Sequence, residues 1–227
     1  MRVRVYVDGF NLYYGGKRLA ARHTGGKVPT WKWLDLRALA SLIVEQRWMG
    51  RDAVIDHVTY CTARVVGDPD NHARQAAYLR ALAVSGTVDR IEFGLFKERY
   101  RELPRATRGP DGGPVLAGRR LQMVGVSIRE EKGSDVNLAS HLLIDALTGV
   151  MDAAVVISND SDLEFPVREV RARMPVGTVS PYGPVHGSLR PVMTPGCGHW
   201  FHQLDLAQLA ACQLPAEVVG IKRPRTW

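Results

Sequence analysis

Ala153-Ala154-Val155-Val156-Ile157-Ser158-Asn159-Asp160-Ser161-Asp162-Leu163 is a near-continuous apolar run that stops at two aspartates. Small and β-branched residues without alternation predict a strand buried on both faces, the kind found inside a parallel sheet. Pro166 cannot donate within a helix interior, so the next helix should start near Asp162 and keep Pro166 in its first turn. Buried strand, acidic turn and helix make the repeating unit of an α/β fold. In such folds ligands bind where strand ends and helix starts meet.

The same arrangement recurs at the start of the chain. Val3-Arg4-Val5-Tyr6-Val7 predicts a first strand, which ends on Asp8 and turns through Gly9-Phe10-Asn11-Leu12 into a helix. Further on, Leu138, Ala139, Leu142, Leu143, Ala146 and Leu147 mark the apolar stripe of a helix over 134–148. Asp135 lies four residues before Ala139 and shares that stripe, in the first turn, where the helix dipole favours a charged carboxylate. Ser134 reads as its N-cap. Asp8, Asp135, Asp160 and Asp162 thus converge from three turns on one sheet edge. Without basic partners they would resist ionising together. A divalent cation with oxygen ligands removes that conflict, so the set reads as a metal site.

Between these segments strand and helix patterns alternate over about the first 180 residues, which predicts an α/β domain with a largely parallel sheet. Helices are expected over 11–22, 34–48, 72–84 and 162–173, and strands over 55–66, 89–99, 120–129 and 176–180. Residues 101–118, rich in Pro and Gly, predict a loop. Beyond Ser180 the texture becomes Pro/Gly-rich, with one helix near 204–212 and a basic tail. The expected organisation is a domain over 1–180 with a basic hairpin or loop insertion at about 97–120. A C-terminal extension over 181–227 is expected to pack on that domain.

The chain has 227 residues and a formal charge of +7, which favours a polyanionic partner. Of 30 basic residues six are lysine, leaving 24 arginines, whose guanidinium forks suit phosphate. No run approaches the roughly 18 apolar residues of a membrane span. With three cysteines and no signal-like start, a reduced cytoplasmic protein is expected. Cys197-Gly198-His199-Trp200-Phe201-His202 lacks the second ligand pair of a structural zinc site.

Three pieces, Val7-Asp8-Gly9-Phe10-Asn11-Leu12, Glu131-Lys132-Gly133-Ser134-Asp135-Val136 and Val156-Ile157-Ser158-Asn159-Asp160-Ser161-Asp162-Leu163, resemble in order and spacing the NYN domain, a branch of the PIN-like nucleases that includes LabA-like bacterial proteins. The ending Gln213-Leu214-Pro215, Ile221-Lys222-Arg223-Pro224 and Trp227 looks like the tail of a bacterial subgroup. A Gly before the first Asp and a Phe after the second would be more usual than Asn159 and Leu163, but every carboxylate is in place. The resemblance implies a PIN-like three-layer sandwich with a central, mostly parallel sheet flanked by helices. It implies that Asp8, Asp135, Asp160 and Asp162 gather Mg²⁺ or Mn²⁺, with Asn11 as a polar helper near the phosphate.

The chemistry such a site supports is endoribonucleolytic phosphodiester hydrolysis without a side-chain nucleophile. Glu130, Glu131 and Glu164 read as neighbours of the ligands or as surface. Lys97, Arg99, Arg101, Arg105, Arg108, Arg119 and Arg120 flank the long loop and, on a hairpin, would form a basic RNA-binding arm, with Tyr100 placed to stack a base. The expected substrate is RNA with single-stranded character or a structured RNA such as tRNA. The alternative is a catalytically weak module that binds RNA or protein on the same scaffold. A homo-oligomer or a regulatory partner docked through Trp200, Phe201 and Trp227 is a further expectation.

Overall fold

The computed structural model describes residues 1–105, 116–117 and 120–225. In chain order the elements are β1 (Arg2–Asp8), α1 (Gly9–Ala21), α2 (Leu36–Arg47), β2 (Val54–Ala63), α3 (Pro69–Ser85), β3 (Arg90–Pro104), β4 (Leu116–Ala117), β5 (Arg120–Leu121) and β6 (Met123–Lys132). There follow α4 (Ser134–Leu147), β7 (Ala153–Ile157), α5 (Glu164–Arg171), β8 (Val176–Ser180), β9 (Trp200–Gln203), α6 (Leu206–Ala211), β10 (Glu217–Val218) and β11 (Ile221–Lys222).

Seven strands form one sheet in the order β6-β3-β2-β1-β7-β8-β9. Of its six neighbouring pairs five are parallel, and β3–β6 is antiparallel. This is the mixed α/β sandwich with a mostly parallel sheet that the alternation predicts. β1 and β7 pair side by side at the centre, Val7 against Ile157, so Asp8 and the 158–162 turn leave the sheet together.

β1 shows why the sheet has two different faces. Val3, Val5 and Val7 are fully buried in one cluster with Leu36, Leu39 and Ile43 of α2 and Leu82 of α3. The alternate positions face α4. Tyr6 donates a hydrogen bond to Asp145 Oδ2 at 2.7 Å, and Arg4 pairs with the same carboxylate at 3.0 Å. Leu138 and Leu142 of α4 pack there with Val156, Val167 and Val170. Asp145 thereby pins the far end of α4 to β1.

Four expectations need correction. The N-cap of α4 is Gly133, at φ 98°, rather than Ser134. A residue with a Cβ adopts that left-handed conformation only with strain. Residues 101–104 are strand rather than loop, because β3 continues to Pro104, paired with Met123. A strand that the sequence pattern does not predict, β9, adds to the sheet edge by pairing with β8, Gly177 opposite Trp200. Trp200, expected on a docking surface, is buried, with its ring 5.2 Å from that of Trp48. Arg108, Arg119 and Trp227 lie outside the described residues, and of Arg120 only the backbone is described.

The seat of Trp200 gives a test of the sheet edge. A Cβ on Gly177 would come within 2.1 Å of the indole. Gly177→Ala is expected to cost about 1–3 kcal/mol by forcing Trp200 out of place. Gly187→Ala, where a Cβ meets open space, should leave the urea midpoint unchanged. Equal midpoints for the two variants would contradict this packing.

Candidate metal centre

Asp8 is the N-cap of α1 and is 4% exposed. One oxygen accepts from Asn11 N–H at 2.9 Å, and the other accepts from Ser158 Oγ at 2.9 Å. The Ser158 hydroxyl in turn accepts from Asp160 N–H at 3.1 Å. Ser158 is fully buried and so ties the acid ending β1 to the acid following β7. Asp160 accepts from Asp162 N–H at 3.0 Å, capping a single 3-10 turn over Ser161–Leu163 that leads into α5.

Asp135 arrives from the other side, as the second residue of α4. Its position depends on Glu131 at the end of β6. That carboxylate accepts from Ser134 N–H at 3.1 Å and from Ser134 Oγ at 2.8 Å, so the Ser134 hydroxyl donates to Glu131 and makes no cap bond to the helix. Asn11 completes the frame: its side-chain oxygen accepts from Asn159 N–H at 3.0 Å. Neither Ser158 nor the capping role of Glu131 is visible in the sequence. The signal for Ser158 is only its place two residues before Asp160.

Asp8, Asp135 and Asp160 each bring one carboxylate oxygen into a group whose members lie within 4.8 Å of one another. The fourth predicted acid, Asp162, is exposed beside this group and outside it. Among the described residues no ion pair engages any of the three clustered acids. Burial raises the Asp8 carboxyl above its ordinary value, and the charge on Asp160 adds to that, against the hydrogen bonds from Asn11 and Ser158. Burial, followed by the charges of Asp8, Asp160, Glu131 and Asp162, pushes Asp135 up to about 6. Three crowded carboxylates with all-oxygen donors could hold a divalent cation.

The predicted basic arm is a hairpin, with Leu95 paired to Lys132 and Pro104 to Met123. Lys97, Arg99 and Arg101 are exposed on it at alternate positions that share one face, and Arg105 is exposed just past the end of β3. Arg105 also donates to Gln122 Oε1 at 3.1 Å. At the hairpin base Phe96 packs edge-on against Phe10, two residues after Asp8, at 5.7 Å between ring centroids, on the strand face opposite Lys97, Arg99 and Arg101. Tyr100 is 75% exposed. No helix among the described residues is long and apolar enough to cross a membrane.

Comparison with known proteins bears on the same segments. The NYN domain family matches residues 2–181. The chain is 30% identical over 251 aligned positions to the protein named 6-hydroxy-3-succinoylpyridine 3-monooxygenase HspA from Pseudomonas putida, with 100% of this chain and 75% of the relative covered. Among solved structures, a protein of unknown function from Vibrio parahaemolyticus aligns over 90% of this chain and 93% of its own. It is 14% identical, with a TM-score of 0.44.

The raised Asp135 carboxyl has a measurable consequence in metal-free protein. Its folded value of about 6 lies above the ordinary 3.8. The stability it lends is therefore full below about pH 4 and is lost as pH rises through about 6. In EDTA, melting temperatures of wild type should fall relative to Asp135→Asn across that window and then run parallel. A constant offset from pH 4 to pH 8 would contradict the crowding.

Proposed function

The chain belongs to the NYN domain family, within the PIN-like nuclease superfamily, and on that premise we propose that it is a metal-dependent endoribonuclease. The observation that carries this reading is the convergence of Asp8, Asp135 and Asp160 without a cation partner among the described residues. When bound, Mg²⁺ or Mn²⁺ polarises a phosphate and lowers the pKa of water near it.

The protein's own residues prepare that site. Asp8 is locked by Asn11 and Ser158, so its oxygens keep one orientation toward the ion. Asp135 and Asp160 close the other sides. Asp162, exposed beside Asp160, adds negative charge to the site. The side-chain oxygen of Asn11 is engaged with Asn159, which leaves its amide nitrogen as the donor for a phosphate oxygen. Residues 1–180 act as the nuclease unit in this reading, and 181–227 brace it by adding β9 to the sheet.

Lys97, Arg99, Arg101 and Arg105 serve as the path of the RNA backbone toward the acids. A strand with single-stranded character, free or within a structured RNA such as tRNA, reaches an edge site of this kind more easily than a duplex. A second reading comes from the Pseudomonas relative, named as a monooxygenase. That chemistry consumes dioxygen and a two-electron reductant, placing one oxygen atom on the ring and releasing the other as water. The observation that favours it is 30% identity along the whole chain.

Labelled single-stranded RNA and tRNA, incubated with Mn²⁺, Mg²⁺ or EDTA, should be cut only with metal. Asp160→Asn should reduce the rate by about 100-fold or more with an unchanged circular dichroism spectrum. Cleavage that survives the substitution, or RNA binding without cleavage under every condition, would overturn the reading. Turnover of reductant dependent on 6-hydroxy-3-succinoylpyridine would favour the second.

The arm is tested separately through salt. Arg99→Ala combined with Arg101→Ala should flatten the dependence of log K on log salt by about 0.7 for each phosphate that is no longer neutralised. An unchanged slope would remove the hairpin from the RNA path.

A further inference from the structure

A cavity of about 340 Å³ opens beside the turn that carries Asp8, between α1, residues 31–34, β2 and α3. Gly9, Phe10 and Tyr60 form the end nearest the acids. The approach there is close, for a Cβ on Gly9 would lie 2.7 Å from Tyr60 Oη. Tyr13, Trp31 and Tyr78 line the walls, and the rings of Tyr13 and Trp31 lie 5.7 Å apart, tilted by 42°.

The charge of this cavity is opposite to that of the acid cluster. Lys17, Lys32 and Arg74 line it, and no Asp or Glu does. Lys17 and Lys32 have no ion pair among the described residues. Lys32 Nζ sits 5.4 Å from the centre of the Trp31 ring. Burial first, then Arg74 and Lys17, holds the Lys32 ammonium below its ordinary value. Lys17 and Lys32, gathered in a lining that holds no acid, suit an anion, as gathered carboxylates suit a cation.

Gln75, Tyr78 and Asn71 of the cavity are engaged within the protein. Gln75 accepts from Val65 N–H at 2.8 Å and donates to Ala63 O at 2.9 Å. Tyr78 Oη donates to Leu34 O at 2.8 Å. The Asn71 side chain bonds Asp68 and Arg74. Aromatic walls with a cationic rim and engaged amides suit stacking of a flat ring in preference to reading its edge.

We propose that this cavity is a nucleotide subsite, holding the residue of the RNA strand next to the phosphate at the acid cluster. Its base stacks on Trp31 and Tyr13, and its own phosphate meets Lys17, Lys32 and Arg74. The subsite rests on the reading of the protein as a ribonuclease, and it implies tolerance of base identity.

Calorimetric titration of the full chain in EDTA tests binding apart from cleavage. The probes are AMP, UMP, adenosine, inorganic phosphate and nicotinate. Both mononucleotides should bind with affinities within about tenfold of each other, and adenosine and phosphate at least about fivefold more weakly. Lys32→Gln and Lys17→Gln should each weaken mononucleotides, with unchanged melting temperatures. No mononucleotide binding, binding indifferent to both substitutions, or binding of nicotinate alone would overturn the subsite. RNA cleavage with no mononucleotide binding fails the subsite only, while binding without cleavage fails the ribonuclease reading only.

Discussion

Three carboxylates held within 4.8 Å of one another, with no ion pair to them among the described residues, are the constraint around which this molecule is arranged. Left in water, such side chains would separate. Here they are attached to elements that cannot. Asp8 ends a central strand, Asp160 follows its parallel neighbour, and Asp135 sits in the first turn of a helix pinned to β1 through Asp145. Sheet and core supply the free energy that keeps like charges together, and its mark on the site is the raised Asp135 carboxyl.

The frame around the acids is made of hydrogen bonds from residues just behind them. Ser158 links Asp8 to Asp160, Asn11 links α1 to the 158–162 turn, and Glu131 seats the first turn of α4. A ligand set supported in this way needs little reorganisation when an ion enters. The packing of Phe10 on Phe96 extends the frame to the base of the hairpin. Gly9 and Phe10, which follow Asp8, also line the aromatic cavity with its cationic rim. Acid, arm and cavity therefore meet around residues 8–10, a segment fixed by the hydrogen bonds of Asp8 and Asn11.

The acids were legible in the sequence because each sits where a local pattern changes: an apolar strand stops, or an amphipathic helix starts. The central parallel sheet was legible for the same reason, from buried runs such as 153–157. What stayed hidden depends on contacts across the fold. β9 is four residues long and has no strand pattern of its own; pairing with β8 makes it a strand. Ser134 read as the N-cap, yet the left-handed backbone of Gly133 begins α4 while Glu131 holds Ser134. Tyr13, Trp31, Tyr60 and Tyr78 come from four separate segments, and only the packing of α1 and α3 on β2 brings them around one cavity.

The central claim is that the acid cluster is a cation site, and direct titration of Mn²⁺ followed by electron paramagnetic resonance tests it most closely. The account predicts saturable binding to wild type, abolished in Asp8→Asn while the fold is retained. Equal binding by wild type and variant, or no binding to wild type at neutral pH, would contradict it.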